Sequence, residues 1–418
     1  MVSLDLKKIR AQFPALDQEI NGEPVIFFDG PGGTQVPSSV MKAMSEYLEV
    51  SNANAHGAFV TSIKTDELID SARLAMADFL GCGRDEIVFG ANMTTLTFSL
   101  SRAIARDLKP GDEIIVTQLD HYANVSPWRA LEEQGVIVRT VDINIEDCTL
   151  DLADLKQKIN ERTKLVAVGY ASNAVGTIND LAEVIKIAHA VKALVFIDAV
   201  HYAPHGLIDV KKLDCDFLTC SAYKFFGPHV GILYGKREHL SRLRPYKVKP
   251  APKEIPGCWE TGTLNYEGLA GVVATIDYLA DLGRQILPTA ENRRAAIVEV
   301  MTAIANYERE LSQHLITGLL QIPGLTFYGI RELQKFNWRT PTVAIRLREQ
   351  TPYAVAKALG DRGIFTWHGN FYALGLTECL GIESSGGLLR IGLVHYNSVA
   401  EIDRLLIALT EIVALPVA

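Results

Sequence analysis

Short apolar runs, four to six residues long and rich in β-branched or aromatic side chains, recur through the first 234 positions of this chain. They fall at Val25–Phe28, Glu86–Phe89, Glu113–Thr117, Val136–Val141, Lys164–Gly169, Leu194–Asp198, Asp216–Cys220 and Gly231–Tyr234. Helix-period patterns lie between many of them, at Asp66–Leu80, Thr94–Asp107, Ser126–Gln134, Leu152–Asn160 and Leu181–Val191. Parallel strands need long crossover connections, which helices provide, so this alternation predicts a mostly parallel sheet covered on both faces. The runs are nearly continuous hydrophobics, as two-sided burial requires.

The texture changes after the proline- and lysine-rich stretch Leu243–Pro256. A helical segment Gly268–Leu282 leads to a long helical pattern Pro288–Leu320. Strand-like Leu325–Tyr328 and Thr342–Leu347, a helix from Pro352, short strands at Gly363–Thr366 and Leu388–Leu393, and a closing helix Ser398–Val413 follow. The expected division is a large domain over 21–267 and a smaller C-terminal α/β domain over 268–418, with residues 1–20 packing on the small one. At 418 residues the chain exceeds one ordinary core, which agrees with two domains.

Composition narrows the partners. Net charge of −8 and pI near 5.7 argue against a nucleic-acid or anionic-membrane surface, so small molecules are expected. Cys82, Cys148, Cys215, Cys220, Cys258 and Cys379 are scattered without a C-x-x-C pair, which fits reduced thiols better than disulfides or a metal site. No run of about eighteen apolar residues occurs and the start carries no apolar signal core, so a cytoplasmic, soluble protein is expected.

Ser221-Ala222-Tyr223-Lys224-Phe225-Phe226-Gly227-Pro228 places one lysine in a small aromatic turn. A lysine beside a turn reads as a surface charge; desolvated, its amine becomes the nucleophile of a Schiff base. Partners decide between the two. Asp198 ends a strand, where ligands bind in open α/β sheets, and a carboxylate there would keep the pyridine nitrogen of pyridoxal phosphate (PLP) protonated. Alone, it reads equally well as a turn cap. Gly90-Ala91-Asn92-Met93-Thr94-Thr95 joins a strand to a helix and offers N–H groups to a phosphate, with the hydroxyls of Thr94, Ser221 and Thr263 as further donors; Thr94-Thr95 also reads as a plain N-cap. His121 would lay an imidazole over the cofactor ring, and Asn173 would reach its phenolic oxygen.

These segments resemble the class V aminotransferase family of fold type I PLP enzymes, in particular its cysteine desulfurase and selenocysteine lyase branch. The likeness runs from Phe28-Asp29-Gly30-Pro31-Gly32-Gly33-Thr34 through Asn52–His56, Asp120–Asn124 with Pro127-Trp128, Ser172–Thr177 and Asp198–His201 to Ser221–Pro228, Gly262-Thr263 and Arg390. It implies an α/β fold: a large domain with a mostly parallel seven-stranded sheet flanked by helices, plus the smaller C-terminal domain. By the same resemblance Lys224 carries the Schiff base and then serves as acid and base at Cα, with His121 stacked on the ring. Asp198, Asn173, His201, Tyr223, Ser221, Met93, Thr94, Gly262 and Thr263 hold the cofactor, Thr263 reaching the partner's phosphate in a homodimer. Arg390, Gly33, His56, Asn370 and Tyr372 meet the substrate, with Arg390 on its carboxylate.

The chain departs from the family where the reaction is decided. Desulfurases need a loop cysteine whose thiolate attacks the substrate sulfur. Here that loop reads Thr366-Trp367-His368-Gly369-Asn370-Phe371-Tyr372-Ala373, with Tyr372 or a neighbour in the cysteine's place and Cys379 as the nearest thiol. His201 stands where glutamine is usual, Tyr223 where histidine often precedes the lysine, and Gly57 where arginine often follows the first histidine. The expectation is β-elimination on a small sulfur-containing amino acid. An aminotransferase or epimerase with an apolar Trp367–Phe371–Tyr372 pocket, a catalytically reduced PLP-binding protein, and a true desulfurase with a displaced cysteine remain as alternatives, and any sulfur-acceptor partner is left open.

Overall fold

The structure is a computed structural model and describes residues 4–414. Seven strands form the main sheet: β1 (Ile87–Gly90), β2 (Glu113–Thr117), β3 (Ile137–Val141), β4 (Thr163–Gly169), β5 (Leu194–Asp198), β6 (Phe217–Ser221) and β7 (Gly231–Gly235). Their order is β1-β7-β6-β5-β4-β2-β3, with β7 alone antiparallel to its neighbours. All residues of β2, β6 and β7 are buried, as the near-continuous hydrophobic runs require.

Helices α1 (Ser38–Val50), α2 (Val60–Leu80) and α3 (Met93–Ala105) come before the middle strands, and α4 (Tyr266–Ile286) and α5 (Arg293–Leu319) follow the sheet. α4 packs on α1, α2 and α5. α2 begins at Val60, earlier than the Asp66 read from its pattern, and α1 was not read at all. In both, long exposed stretches such as Leu48, Val50, Phe59 and Val60 blur the apolar stripe on which periodicity depends. α2 stops at Gly81, whose φ of 78° supplies the left-handed C-cap.

A second sheet combines β8 (Leu325–Tyr328), β9 (Thr342–Leu347), β10 (Trp367–Gly369) and β11 (Leu388–Gly392) in the order β8-β9-β11-β10, all antiparallel. One strand assignment changes. Its pattern places the run Val25–Phe28 with the large sheet, yet Ile26–Phe27 pairs with Ile364–Phe365, and Ile26 and Phe28 are buried in the core of the second sheet. Four apolar residues specify burial but carry no information about which sheet they join. The consequence for the site is direct, because the chain leaves that strand at Asp29, bridges to Gly392 at the end of β11, and so brings Pro31–Gly33 across to Lys224. Among the described residues no helix is long and apolar enough to cross a membrane.

Candidate active site

Loops after β1, β2, β4, β5 and β6 converge on a cavity of about 470 Å³. Each leaves the carboxyl end of its strand, the edge at which open α/β sheets bind ligands. Lys224 closes the 3-10 turn Ala222–Lys224 after β6, and its Nζ donates to the carbonyls of Pro31 (2.5 Å) and Gly32 (3.0 Å). Burial, reinforced by Arg390 and partly offset by Asp198 and Asp29, lowers its amine to about 7. The turn holds Phe226 at φ 72°, an unusual value for a bulky residue, and the Phe226 N–H donates to Thr34 Oγ1 at 2.7 Å. Thr34 belongs to the same Asp29–Thr34 segment that carries the lysine's two carbonyl partners.

Asp198 ends β5 and accepts from the Val200 N–H at 2.9 Å. Burial raises its carboxyl to about 6, leaving it largely ionised at neutral pH. Asp120 lies nearby and is raised well above the usual carboxylate range, first by burial and then by Asp198; it accepts from Gly169 N (2.7 Å) and Asn124 Nδ2 (3.0 Å). His121 Nδ1 accepts from the Ala123 N–H at 3.0 Å, so a neutral ring carries its proton on Nε2. Burial, Lys224 and Arg390 lower this imidazole to about 4.

At the other end of the cavity stands the N-terminus of α3. Asn92 caps it by accepting from Thr95 N at 2.9 Å, which takes the capping role away from Thr94. Thr94 is exposed and lines the cavity, while Ser221 Oγ accepts from Met93 N at 3.0 Å and keeps its own proton to donate. This approach requires Gly231: a Cβ there would lie 2.4 Å from the carbonyl carbon of Asn92.

The opposite wall is the rim Trp367–Tyr372. Phe371 and Tyr372 both adopt left-handed backbone (φ 55° and 59°) and are held by local hydrogen bonds. Asn173 Nδ2 donates to Phe371 O (2.8 Å), Tyr122 N to Tyr372 O (2.7 Å), and Tyr372 N to Asn370 Oδ1 (3.0 Å). The Phe371 ring lies 4.2 Å from the Arg390 guanidinium carbon, and Tyr372, 72% exposed, stacks on His121 with centroids 5.3 Å apart. Arg390 is buried on β11 and donates to Asn173 O at 2.9 Å. Trp367 rests on Gly32, where a Cβ would come within 2.3 Å of its indole nitrogen. A larger, more open recess of about 870 Å³ lies outside, shares His368–Asn370 with the cavity, and contains none of the strand-end residues.

Twelve of the sequence-predicted residues meet around the cavity: Met93, Thr94, His121, Asn173, Asp198, His201, Ser221, Tyr223, Lys224, Asn370, Tyr372 and Arg390. Four do not line it. Gly33 sits one residue beyond the wall, beside the Tyr223 ring. His56 is exposed and pairs with Asp66 at 3.0 Å. Gly262 and Thr263 are exposed as well, on a segment anchored by the buried Arg73–Glu260 pair (2.8 and 2.9 Å) and by Phe89 N on Glu260 Oε1 (3.0 Å). Sequence reasoning did not pick out Asp29, whose buried Oδ1 has no partner, or the seat of Phe371 on Arg390. Asp29 had a signal, an acidic residue inside a glycine-rich turn; the Phe371 contact depends on side-chain placement that no sequence pattern encodes.

The residue set fits PLP. A carboxylate, an inward lysine and a helix N-terminus are spread around one cavity, and Asn173 Oδ1 and Arg390 Nε are buried there without a protein partner. Comparison with known proteins agrees: the aminotransferase class-V family description matches residues 26–405. The chain belongs to the class V aminotransferase family. It is 32% identical to a cysteine desulfurase of Pectobacterium atrosepticum over 98% of each chain. It is also 32% identical to the aminotransferase-like protein FGM3 of Gibberella zeae, over 97% of this chain and 98% of that one. Among solved structures, the apo cysteine desulfurase from Thermococcus onnurineus NA1 superposes with a TM-score of 0.87 at 28% identity over 99% of each chain. The Escherichia coli cysteine desulfurase CsdA gives 0.84 at 25% identity over 98% of each. This class V aminotransferase family member is accordingly a PLP-dependent enzyme with the fold type I architecture.

Proposed function

We propose that this enzyme cleaves a small sulfur-containing amino acid by β-elimination, as a C–S lyase releasing pyruvate and ammonia. The observation that carries the reading is the rim. Among the described residues no cysteine lines the cavity, and the wall that faces Lys224 beyond the substrate carries Phe371 and Tyr372. Without a thiolate to take sulfur from the substrate, the sulfur leaves with the Cβ bond electrons.

Bound PLP supplies an aldehyde carbon for a Schiff base and a pyridine ring that takes up the electron pair freed at Cα. The protein does the rest. Lys224, its amine lowered to about 7 and so partly neutral at that pH, would hold the aldehyde carbon, yield it to the substrate amine and then serve as the base for the Cα proton. With PLP bound, Asp198 would hold the pyridine nitrogen, and His121, neutral with its proton on Nε2, would stack on the ring and donate a hydrogen bond to the departing thiolate sulfur. The α3 N-terminus, Thr94 and Ser221 take the phosphate; Asn173 and His201 lie at the phenolic side; Arg390 takes the substrate carboxylate through its unpaired Nε edge. Tyr223 packs beside the lysine, its ring centroid 4.8 Å from Nζ. Met93, Asn370 and Tyr372 complete the cavity wall, Gly33 and His56 would act on substrate from outside it, and Gly262-Thr263 would serve the partner's phosphate in a cytoplasmic homodimer. The proposed division is a PLP-binding domain over 21–267 and a small domain over 268–418 with residues 1–20 against it; residues 1–3 and 415–418 lie outside the described residues.

Incubation with cystine, cysteine and cysteine conjugates tests this reading: pyruvate supports it, and alanine with transferable sulfur contradicts it. A desulfurase route through Cys379 requires a thiol that stands outside the cavity wall, on α6 (Leu374–Cys379), half-buried and raised by burial. A second reading, an aminotransferase or epimerase of a larger amino acid, is favoured by the aromatic rim and the likeness to an aminotransferase-like protein; stoichiometric conversion of bound PLP to its amine form would select the transaminase.

A further inference from the structure

Three aromatic rings of the rim are each seated on a group that has a place in the proposed reaction. Trp367 rests on Gly32, whose carbonyl accepts from Lys224 Nζ at 3.0 Å. The Phe371 ring lies 4.2 Å from the Arg390 guanidinium carbon, and Tyr372 stacks on His121 at an interplanar angle of 25°. Much of this aromatic surface is nevertheless bare. Trp367 is 49% and Tyr372 72% exposed, although both line the cavity. A single uncovered apolar side chain carries no meaning, whereas several standing together mark a binding surface. Here they continue outward, since His368 meets the Tyr353 ring edge-on at 5.1 Å and the exposed Tyr353 borders the outer recess.

The rim is also uncharged. Trp367–Tyr372 contains no lysine, arginine or carboxylate, and Glu383 behind it is occupied by Asn370 Nδ2 (2.9 Å) and the Thr377 hydroxyl. A charged group brought against these rings would lose water without gaining a partner, while a flat apolar one would cover them. The floor adds a chemical reason. Burial lowers His121 to about 4, so at neutral pH it offers the leaving sulfur a hydrogen bond and not a proton. A sulfur that leaves as thiolate leaves more readily when an attached aromatic ring spreads its charge.

We propose that the sulfur substituent of the substrate is an uncharged aromatic group, bound in contact with the Trp367 and Tyr372 rings. This rests on the β-elimination reading above. With the substrate amine in the place of Lys224 and its carboxylate on Arg390, the side chain is left to face the rim. Lys224 takes the Cα proton, the Cα–H electron pair becomes the second bond between Cα and Cβ, and the Cβ–S pair leaves on sulfur as the thiolate. Water converts the remainder to pyruvate and ammonia, and no oxidant or reductant enters.

The test compares kcat/KM of the purified holoenzyme for S-benzyl-, S-phenyl- and S-methyl-cysteine, with pyruvate and released thiol both measured. Benzyl and methyl thiolates are leaving groups of similar strength, so their ratio reads the rim; the phenyl compound adds the leaving-group effect. Wild type prefers S-benzyl over S-methyl by about tenfold or more, the size of a ring contact with its buried area. Trp367→Ala and Tyr372→Ala each cut that ratio by about threefold to tenfold, while Trp367→Phe and Tyr372→Phe, which keep a ring, keep most of it. The PLP absorbance of each variant checks that its cofactor site is formed, and Trp367→Leu is a second ring-free variant. A wild-type ratio of one or below overturns the inference, as does a ratio that the ring-free variants leave unmoved. Pyruvate with a flat ratio overturns the inference alone; no pyruvate from any of the three compounds overturns the elimination reading and the inference with it.

Discussion

The strand-end floor and the Trp367–Tyr372 rim face each other across one cavity and are built on opposite principles. Floor residues are buried or half-buried and fixed by backbone: Asp198 by Val200 N, Ser221 by Met93 N, His121 by Ala123 N, Lys224 by two carbonyls. The rim is thin and largely exposed, has left-handed residues at Phe371 and Tyr372, and borders open space on its outer side. Burial on the floor shifts pKa values toward the task, a lysine near 7 above a carboxylate near 6. The rim contributes shape and stacking instead. In the proposed reaction the floor starts the chemistry on every amino acid that enters, and the rim decides which bond breaks next.

Changes to the floor carry the largest expected effects. Lys224→Ala removes both covalent attachment and the Cα base, so turnover falls by roughly a thousandfold or more and the Schiff-base absorbance disappears. A retained band in that variant would place the lysine elsewhere. Asp198→Asn keeps shape but loses the charge at the pyridine nitrogen, with a fall of about a hundredfold or more in turnover and weaker PLP retention on dialysis; unchanged kinetics would remove this role. Arg390→Ala takes away a charge-assisted pair, and kcat/KM falls about tenfold to a hundredfold, mostly through KM. An effect confined to kcat would assign Arg390 to the chemistry and not to carboxylate binding.

Smaller in size, a pH profile sharpens the floor itself. Only the neutral Lys224 amine attacks an aldehyde, and its pKa is lowered to about 7. Capture of PLP by the apoenzyme is therefore fast above pH 7 and slows about tenfold per unit below it; an ordinary lysine would keep accelerating up to about pH 10.4. At the rim, Tyr372→Phe keeps the stack on His121 and alters rate by less than about threefold, whereas Tyr372→Ala opens the wall and broadens the accepted side chains. Equal effects of the two would mean that the hydroxyl, not the ring, matters.

The two regions also differ in how far they could be read from the chain alone. The strands of the floor announced themselves as buried apolar runs, and β2 (Glu113–Thr117) and β5 (Leu194–Asp198) match the structure residue for residue. The residues that end those strands followed, since function there depends on position along a strand. What failed was information that local pattern does not carry. Ile26–Phe27 joined the other sheet, Asn92 and not Thr94 capped α3, and β10 was unread because Trp367-His368-Gly369 is exposed and lacks alternation. Phe371 over Arg390 is a ring-on-guanidinium contact with no fixed spacing, and His205–Glu308 joins a large-sheet loop to α5; neither leaves a mark in sequence.

The central claim is that a floor built to activate Cα, facing a rim without a thiol, ends in elimination. One incubation decides it. The purified holoenzyme is given cysteine, cystine and cysteine conjugates, and pyruvate, alanine, sulfide and protein-bound sulfur are measured in the same sample. The account predicts pyruvate in step with released sulfur, little alanine and no persulfide on the protein. Alanine in step with a persulfide on Cys379 or any other cysteine would contradict it.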